Sequence, residues 1–130
     1  MIEKKNDFQE LWLLDKPTQK THLISGTKGV CEPKQHRILM GRIRFCTTEN
    51  VKKNYLKFVT IDNKEFFRMI TLETIVEKSP NFVRISKNTI INTEHIKKRH
   101  DWLFIWSDEQ MFKISRVFRA EIKLKLGDKV

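Results

Sequence analysis

Residues Phe82–Lys98 read FVRISKNTIINTEHIKK. Apolar residues alternate with polar ones at a period near two, which predicts a strand from Phe82 to Asn92. A short helical turn is expected over Thr93–Lys97. Arg84, Lys87 and Asn88 stand among β-branched residues where a purely structural strand takes Thr, Glu or Gln as readily. They either solubilise the strand or read a ligand, and the rest of the chain has to decide between the two.

Upstream, Leu11–Leu14 is apolar and ends in a turn at Asp15–Thr18, and Thr21–Ser25 fits a short strand cut off by Gly26 and Gly29. Cys31–Gln35 reads as a loop. Arg37–Phe45 (RILMGRIRF) reads as one strand with a bulge or bend at Gly41, and Cys46–Lys53 as a polar loop. Tyr55–Ile61 alternates well and turns at Asp62-Asn63-Lys64 into a second strand, Glu65–Met69. Thr71 can cap a helix that presents Leu72, Ile75 and Val76 on one face and stops at Ser79-Pro80-Asn81.

Downstream, Asp101–Ser107 (DWLFIWS) puts Trp102, Phe104 and Trp106 on one face of a strand, and Ser107–Gln110 turns back into Met111–Ile114. Period-two aromatics are ordinary core, so that stripe is expected to face the interior. A base-stacking platform would have basic residues between the rings, and Leu103 and Ile105 stand there instead. Ser115 can cap a last helix with Phe118, Ile122 and Leu126 at a spacing of four. Glu121–Leu126 also alternates like a strand, but the terminal lysines and Gly127 favour the helix. The expected class is mainly β, without the βαβ rhythm of a parallel sheet.

With 130 residues, one domain is the expectation. No apolar run reaches the roughly 18 residues of a membrane span, and Met1–Asp7 is charged rather than signal-like, so a cytoplasmic protein is expected. Cys31 and Cys46 form no C-x-x-C pair and read as free thiols. The four scattered histidines complete no zinc set, and neither metal nor cofactor is expected.

The net charge of +10 is unevenly placed. Met1–Pro33 is neutral, Lys34–Lys64 carries +6, Glu65–Asn81 carries −1 and Phe82–Leu126 carries +5. Two basic segments flanking an acidic one suit a polyanion, because clustered Lys and Arg release condensed counterions from phosphates. The four glycines form neither GxGxxG nor a GK[ST] loop, which excludes a P-loop or dinucleotide site. Asp108 and Glu109 read as turn residues rather than a catalytic pair, and Ser115 as a helix cap rather than a nucleophile. Nothing argues for an enzyme.

FVRISKNTIINTEHIKK resembles the signature of LytTR domains, an F-x-R-x-[H/S]-[R/K/N]-[S/N]-x-[I/V]-[I/V]-N run leading into a turn that ends in Ile. Phe82, Arg84, Ser86, Lys87, Asn88, Ile90, Ile91, Asn92 and Ile96 stand in those places. GRIRFC, YLKFVTIDNKEFF, TLETIVEK and FKISRVFRAEIKLKL surround it in the family's order, so the resemblance covers roughly Arg37–Leu126. It implies an elongated antiparallel β-sheet sandwich with one or two short helices and a C-terminal helix. The expected domain spans residues 11–126 (core match 37–126), between tails 1–10 and 127–130.

The resemblance also implies a transcription regulator that binds direct repeats in promoter DNA through loop residues in the major groove. By position, base contacts fall to Lys53, Asn54, Lys87, Asn88 and Arg116. By residue type and place, phosphate contacts fall to Lys52, Lys97, Lys98, Arg99 and Arg119, with Arg84 and Asn92 bracing the strand. A histidine or arginine is more usual in the family at the Lys53/Asn54 place. The thirty-odd residues before Arg37 are too few for a receiver domain, so the sequence reads as a stand-alone regulator or an excised C-terminal domain. Implied partners are double-stranded promoter DNA, a membrane-protein inhibitor, or a second copy on adjacent repeats. The competing readings are a protein-interaction or non-specific nucleic-acid-binding module with a basic face, and RNA binding through the tryptophan hairpin.

Overall fold

A computed structural model describes residues 9–17, 33–100, 104–107 and 110–126, with the backbone alone for 97–100, 104, 106 and 126. In chain order the elements are β1 (Glu10–Leu14), β2 (Gln35–Leu39), β3 (Ile43–Thr47), β4 (Leu56–Thr60), β5 (Glu65–Arg68), α1 (Leu72–Lys78), β6 (Phe82–Ser86) and β7 (Thr89–Asn92). Then follow β8 (Ile96–His100), β9 (Phe104–Ser107), β10 (Gln110–Lys113) and α2 (Arg119–Leu126), with 3-10 turns at Met40–Arg42, Thr93–His95 and Arg116–Phe118. Seven strands form one antiparallel sheet in the order β2-β1-β5-β4-β3-β7-β6, and β10-β9-β8 form a second.

The opening stretch is a hairpin, not one strand. Phe82 pairs with Asn92, Val83 with Ile91 and Ser86 with Thr89, leaving Lys87 and Asn88 as the two-residue turn. Its apolar residues are therefore spent on both faces of the large sheet. Phe82 and Ile90 join a core shared with Leu13, Phe58 and α1's Leu72 and Ile75. Val83, Ile85 and Ile91 join another, shared with Ile105 of β9, Ile114 and Ile122 of α2. The large sheet is thus the middle layer, and its central strands carry apolar side chains in both phases because neither face meets water.

Between Ile43 and Phe45 the β3–β4 register shifts by one residue, a bulge at Arg44. It explains why Ile43 and Phe45, two apart, belong to opposite cores. The extra residue is buried. Its guanidinium donates to the Ser107 carbonyl, Gln110 Oε1 and Asn63 Oδ1 at 3.3, 3.0 and 2.7 Å, tying the two sheets together.

Several expectations are corrected. The run 37–45 is broken at Met40–Arg42 into β2 and β3, at the bend that Gly41 signals. Cys46 and Thr47 belong to β3 rather than to the following loop, and the helical turn expected over Thr93–Lys97 is a 3-10 turn at Thr93–His95 that gives way to the strand Ile96–His100. In β9, Ile105 and Ser107 are buried; the side chains of Phe104 and Trp106, which with Trp102 make the aromatic stripe, lie outside the described residues. The strand expected at Thr21–Ser25 lies outside the described residues, as do Trp102 and Cys31.

Other elements stand as read. Thr71 Oγ1 accepts from the Thr74 amide at 3.2 Å and caps α1, whose Leu72 and Ile75 are buried. Asn63, at φ 64°, makes the β4–β5 turn. The C-terminal segment is helical, with Ile122 fully buried. Cys46 is a free, buried thiol, and burial pushes its pKa up. No helix among the described residues is long and apolar enough to cross a membrane. Among the same residues, no group of three or more His, Cys, Asp or Glu could hold a metal.

Candidate nucleic-acid interface

The Lys87-Asn88 turn contains no glycine and no positive φ, so the usual hairpin-turn chemistry is missing. A side chain supplies the restraint. Arg84 of β6 donates from Nε to the Ser86 carbonyl at 3.2 Å and from Nη2 to the Lys87 carbonyl at 2.8 Å. Its Nη1 meets Glu73 Oε2 of α1 at 3.0 Å, and its guanidinium lies 5.4 Å from the Phe118 ring centroid. The bond from Arg84 holds the Glu73 carboxyl below the ordinary glutamate range. Asn92 closes the other end: Nδ2 donates to the buried Ile43 carbonyl and Oδ1 accepts from the Glu94 amide, both at 2.9 Å.

Two further loops are fastened to this turn. The Thr48 amide donates to the Asn88 carbonyl at 2.9 Å and its hydroxyl to Asn88 Oδ1 at 3.3 Å, so the β3–β4 loop is sewn to the hairpin. The Ser115 amide donates to the Ile85 carbonyl at 2.8 Å, which sets the Arg116–Phe118 turn beside the end of β6. Lys52, Lys53, Asn54, Arg84 and Lys87 line one open cleft of about 560 Å³ with Thr48, Thr71 and Glu73.

Of the expected base readers, Lys53, Asn54, Lys87 and Arg116 are exposed and Asn88 is half-buried. Lys53, Asn54 and Lys87 share the cleft, whereas Arg116 is not among its lining residues and sits in the turn that the Ser115–Ile85 bond sets beside the end of β6. Asn54 has φ 70°, so it also holds a left-handed position that a β-branched residue would strain. Asn88 bonds Thr48 and thereby couples the loops.

Lys52 is exposed beside Lys53. Arg119 starts α2 and donates to the Ile114 carbonyl at 3.4 Å, so its guanidinium is partly engaged within the fold. Lys97, Lys98 and Arg99 belong to β8, the strand paired with β9, and their side chains lie outside the described residues. Sequence reasoning missed Thr48 and Glu73. No local pattern marks them, because their partners are 40 and 11 residues away.

A sequence model of the LytTr DNA-binding domain matches residues 34–127. The chain belongs to this family. Among solved structures, it is similar to the LytTr DNA-binding domain of a protein described as a methyl-accepting/DNA response regulator from Bacillus cereus. That likeness has a TM-score of 0.60 at 13% identity, over 72% of this chain and 88% of the other, and it supports the fold. No curated protein sequence matches the chain. The three joined loops are therefore those of a LytTr domain, a DNA-binding module of transcription regulators.

Proposed function

We propose that this LytTr domain binds promoter duplexes sequence-specifically, reading direct repeats by placing its joined loops in successive major grooves. The observation that carries the reading is the convergence of the β3–β4 loop and the Ser115-Arg116 turn on the β6–β7 hairpin of the signature stretch, each hydrogen-bonded to it. Loops on a rigid sheet can enter a groove, and Arg, Lys and Asn pair with guanine and adenine edges. Arg116 offers a planar fork to guanine O6 and N7. Lys87 reads a second groove, with Asn88 buttressing it, and Lys53 and Asn54 serve the loop contact. Lys52, Lys97, Lys98, Arg99 and Arg119 hold phosphates and set register without sequence information.

Residues 11–126 act as one domain between short tails, supported by β1, whose Leu11 and Leu13 are core residues of the large sheet. The role is binding rather than catalysis, in the cytoplasm, and a second copy occupies the neighbouring repeat. A membrane-protein inhibitor is the partner the family resemblance suggests for control.

Titration on duplexes of defined sequence tests the reading. Arg116→Ala should flatten preference at one base pair by about 1–3 kcal/mol. Lys98→Ala should weaken all duplexes alike and lower the salt slope by about one. Equal losses on every sequence for both variants would replace base reading with a non-specific basic face.

A further inference from the structure

Arg84 is the only side chain described above that fixes the carbonyls of the Lys87 turn, and Glu73 holds it from a different element. We propose that Glu73, at the start of α1, is a positioning residue for base selection: it holds Arg84 in the fork that fixes the Lys87 turn. The inference rests on the DNA-reading function proposed above.

Lysine is a poor reader unless its backbone is fixed, because its ammonium sits on a long, freely rotating stem. The Lys87 carbonyl is fixed by Arg84 Nη2 at 2.8 Å, and the Ser86 carbonyl by Nε at 3.2 Å. A guanidinium at the mouth of a cationic cleft has a competing partner, the DNA phosphate. Swung toward phosphate, Arg84 would add sequence-blind affinity and release both carbonyls. Glu73 Oε2, 3.0 Å from Nη1, opposes that movement. Glu73 lines the same cleft as Lys52, Lys53 and Lys87, so its carboxylate also repels phosphate there.

The Glu73 side chain is 66% exposed and that of Arg84 21%. An ion pair so open contributes little to stability, so removing the carboxylate leaves a folded protein. The arrangement spends an acid inside a DNA-facing cleft, which lowers affinity in general and is useful only if it raises discrimination.

The test uses the full chain as wild type, Glu73→Gln, Lys87→Ala and the double variant, each selected against a random duplex library. Each is then titrated on the selected duplex, on single-base variants of it and on a scrambled duplex. Glu73→Gln should reduce preference about tenfold at the base pair that Lys87→Ala flattens, with no further loss in the double variant. Its Kd on scrambled duplex should be unchanged or tighter, which a general loss of folded protein cannot produce. Arg84→Lys, which keeps the charge and loses the fork, should flatten the same base pair. A wild-type motif with an unchanged Glu73→Gln profile, or flattening at a base pair insensitive to Lys87→Ala, overturns the inference alone. A wild-type chain that returns no motif overturns both it and the reading beneath it.

Discussion

Replacing Asn92 by alanine tests how the signature hairpin is locked to the rest of the sheet. The β3–β7 ladder runs through Phe45–Ile91 and ends where the Arg44 bulge throws the register off. Past that point the Asn92 side chain takes over, donating to the Ile43 carbonyl at 2.9 Å while accepting from the Glu94 amide at 2.9 Å. Asn92 is 1% exposed and Ile43 fully buried, so water has no ready route to replace the lost donor. A buried carbonyl left without its partner costs about 2 kcal/mol, and loss of the cap on the Thr93–His95 turn adds about 1 kcal/mol.

A total near 3 kcal/mol is a fall in Tm of about 12 °C for a domain of this size. Urea denaturation and thermal circular dichroism read both quantities. Asn92→Asp keeps the cap acceptor but sets a carboxylate against the Ile43 carbonyl. At pH 7 it should cost at least as much as alanine. Burial raises the pKa of the new carboxyl, and its protonated form can donate, so the deficit relative to wild type should shrink as pH falls toward that pKa. A cost below about 1 kcal/mol for Asn92→Ala, at an unchanged m-value, would refute the claim that this side chain substitutes for the missing ladder bond.

Ile90→Ala and Ile91→Ala should each cost about 2–5 kcal/mol by urea denaturation, because adjacent residues fill opposite cores; one neutral substitution would mean one face is not packed. Thr71→Ala should cost about 1 kcal/mol in the same assay, through loss of the cap on the Thr74 amide. Asn54→Gly should keep wild-type stability while Asn54→Ala loses about 1 kcal/mol, since φ 70° suits glycine and strains alanine. Both should lose duplex affinity equally if the Asn54 side chain touches DNA. Glu73 has a folded pKa below its ordinary 4.5, so its stabilising contribution is complete above that value and is lost as pH falls below it. Denaturation curves of Glu73→Gln between pH 7 and pH 3 should therefore show a smaller acid-induced loss than wild type.

Much of the fold was legible because local and tertiary preferences agree. Thr71 followed by Leu72, Ile75 and Val76 announces a capped helix, and Asp62-Asn63-Lys64 announces a turn. The paired apolar residues Phe82-Val83 and Ile90-Ile91 belong to a sheet covered on both faces. The hairpin within Phe82–Asn92 was not legible. Its turn is Lys87-Asn88, with none of the glycine or positive-φ residues that mark hairpin turns, and it is held by a side chain three residues upstream. Likewise, the burial of Ile105 with Val83, Ile85 and Ile91 depends on the second sheet packing on the first, which alternation alone does not show.

The candidate interface divides the same way. Residue types at Lys53, Lys87 and Arg116 could be named from the sequence and the family resemblance. That they belong to loops bonded to one another depends on Thr48–Asn88 and Ser115–Ile85, contacts spanning 40 and 30 residues. Glu73 lay on a helix face that, read alone, is only a solvated surface. Its place beside Arg84 exists only after β6 has packed next to α1.

Selection of bound duplexes from a random library by the full wild-type chain tests the central claim most directly. The account predicts enrichment of one short motif recurring as a direct repeat, with a spacing that keeps both copies on one face of the duplex. Enrichment of no motif, with affinity set by salt and length alone, would contradict it.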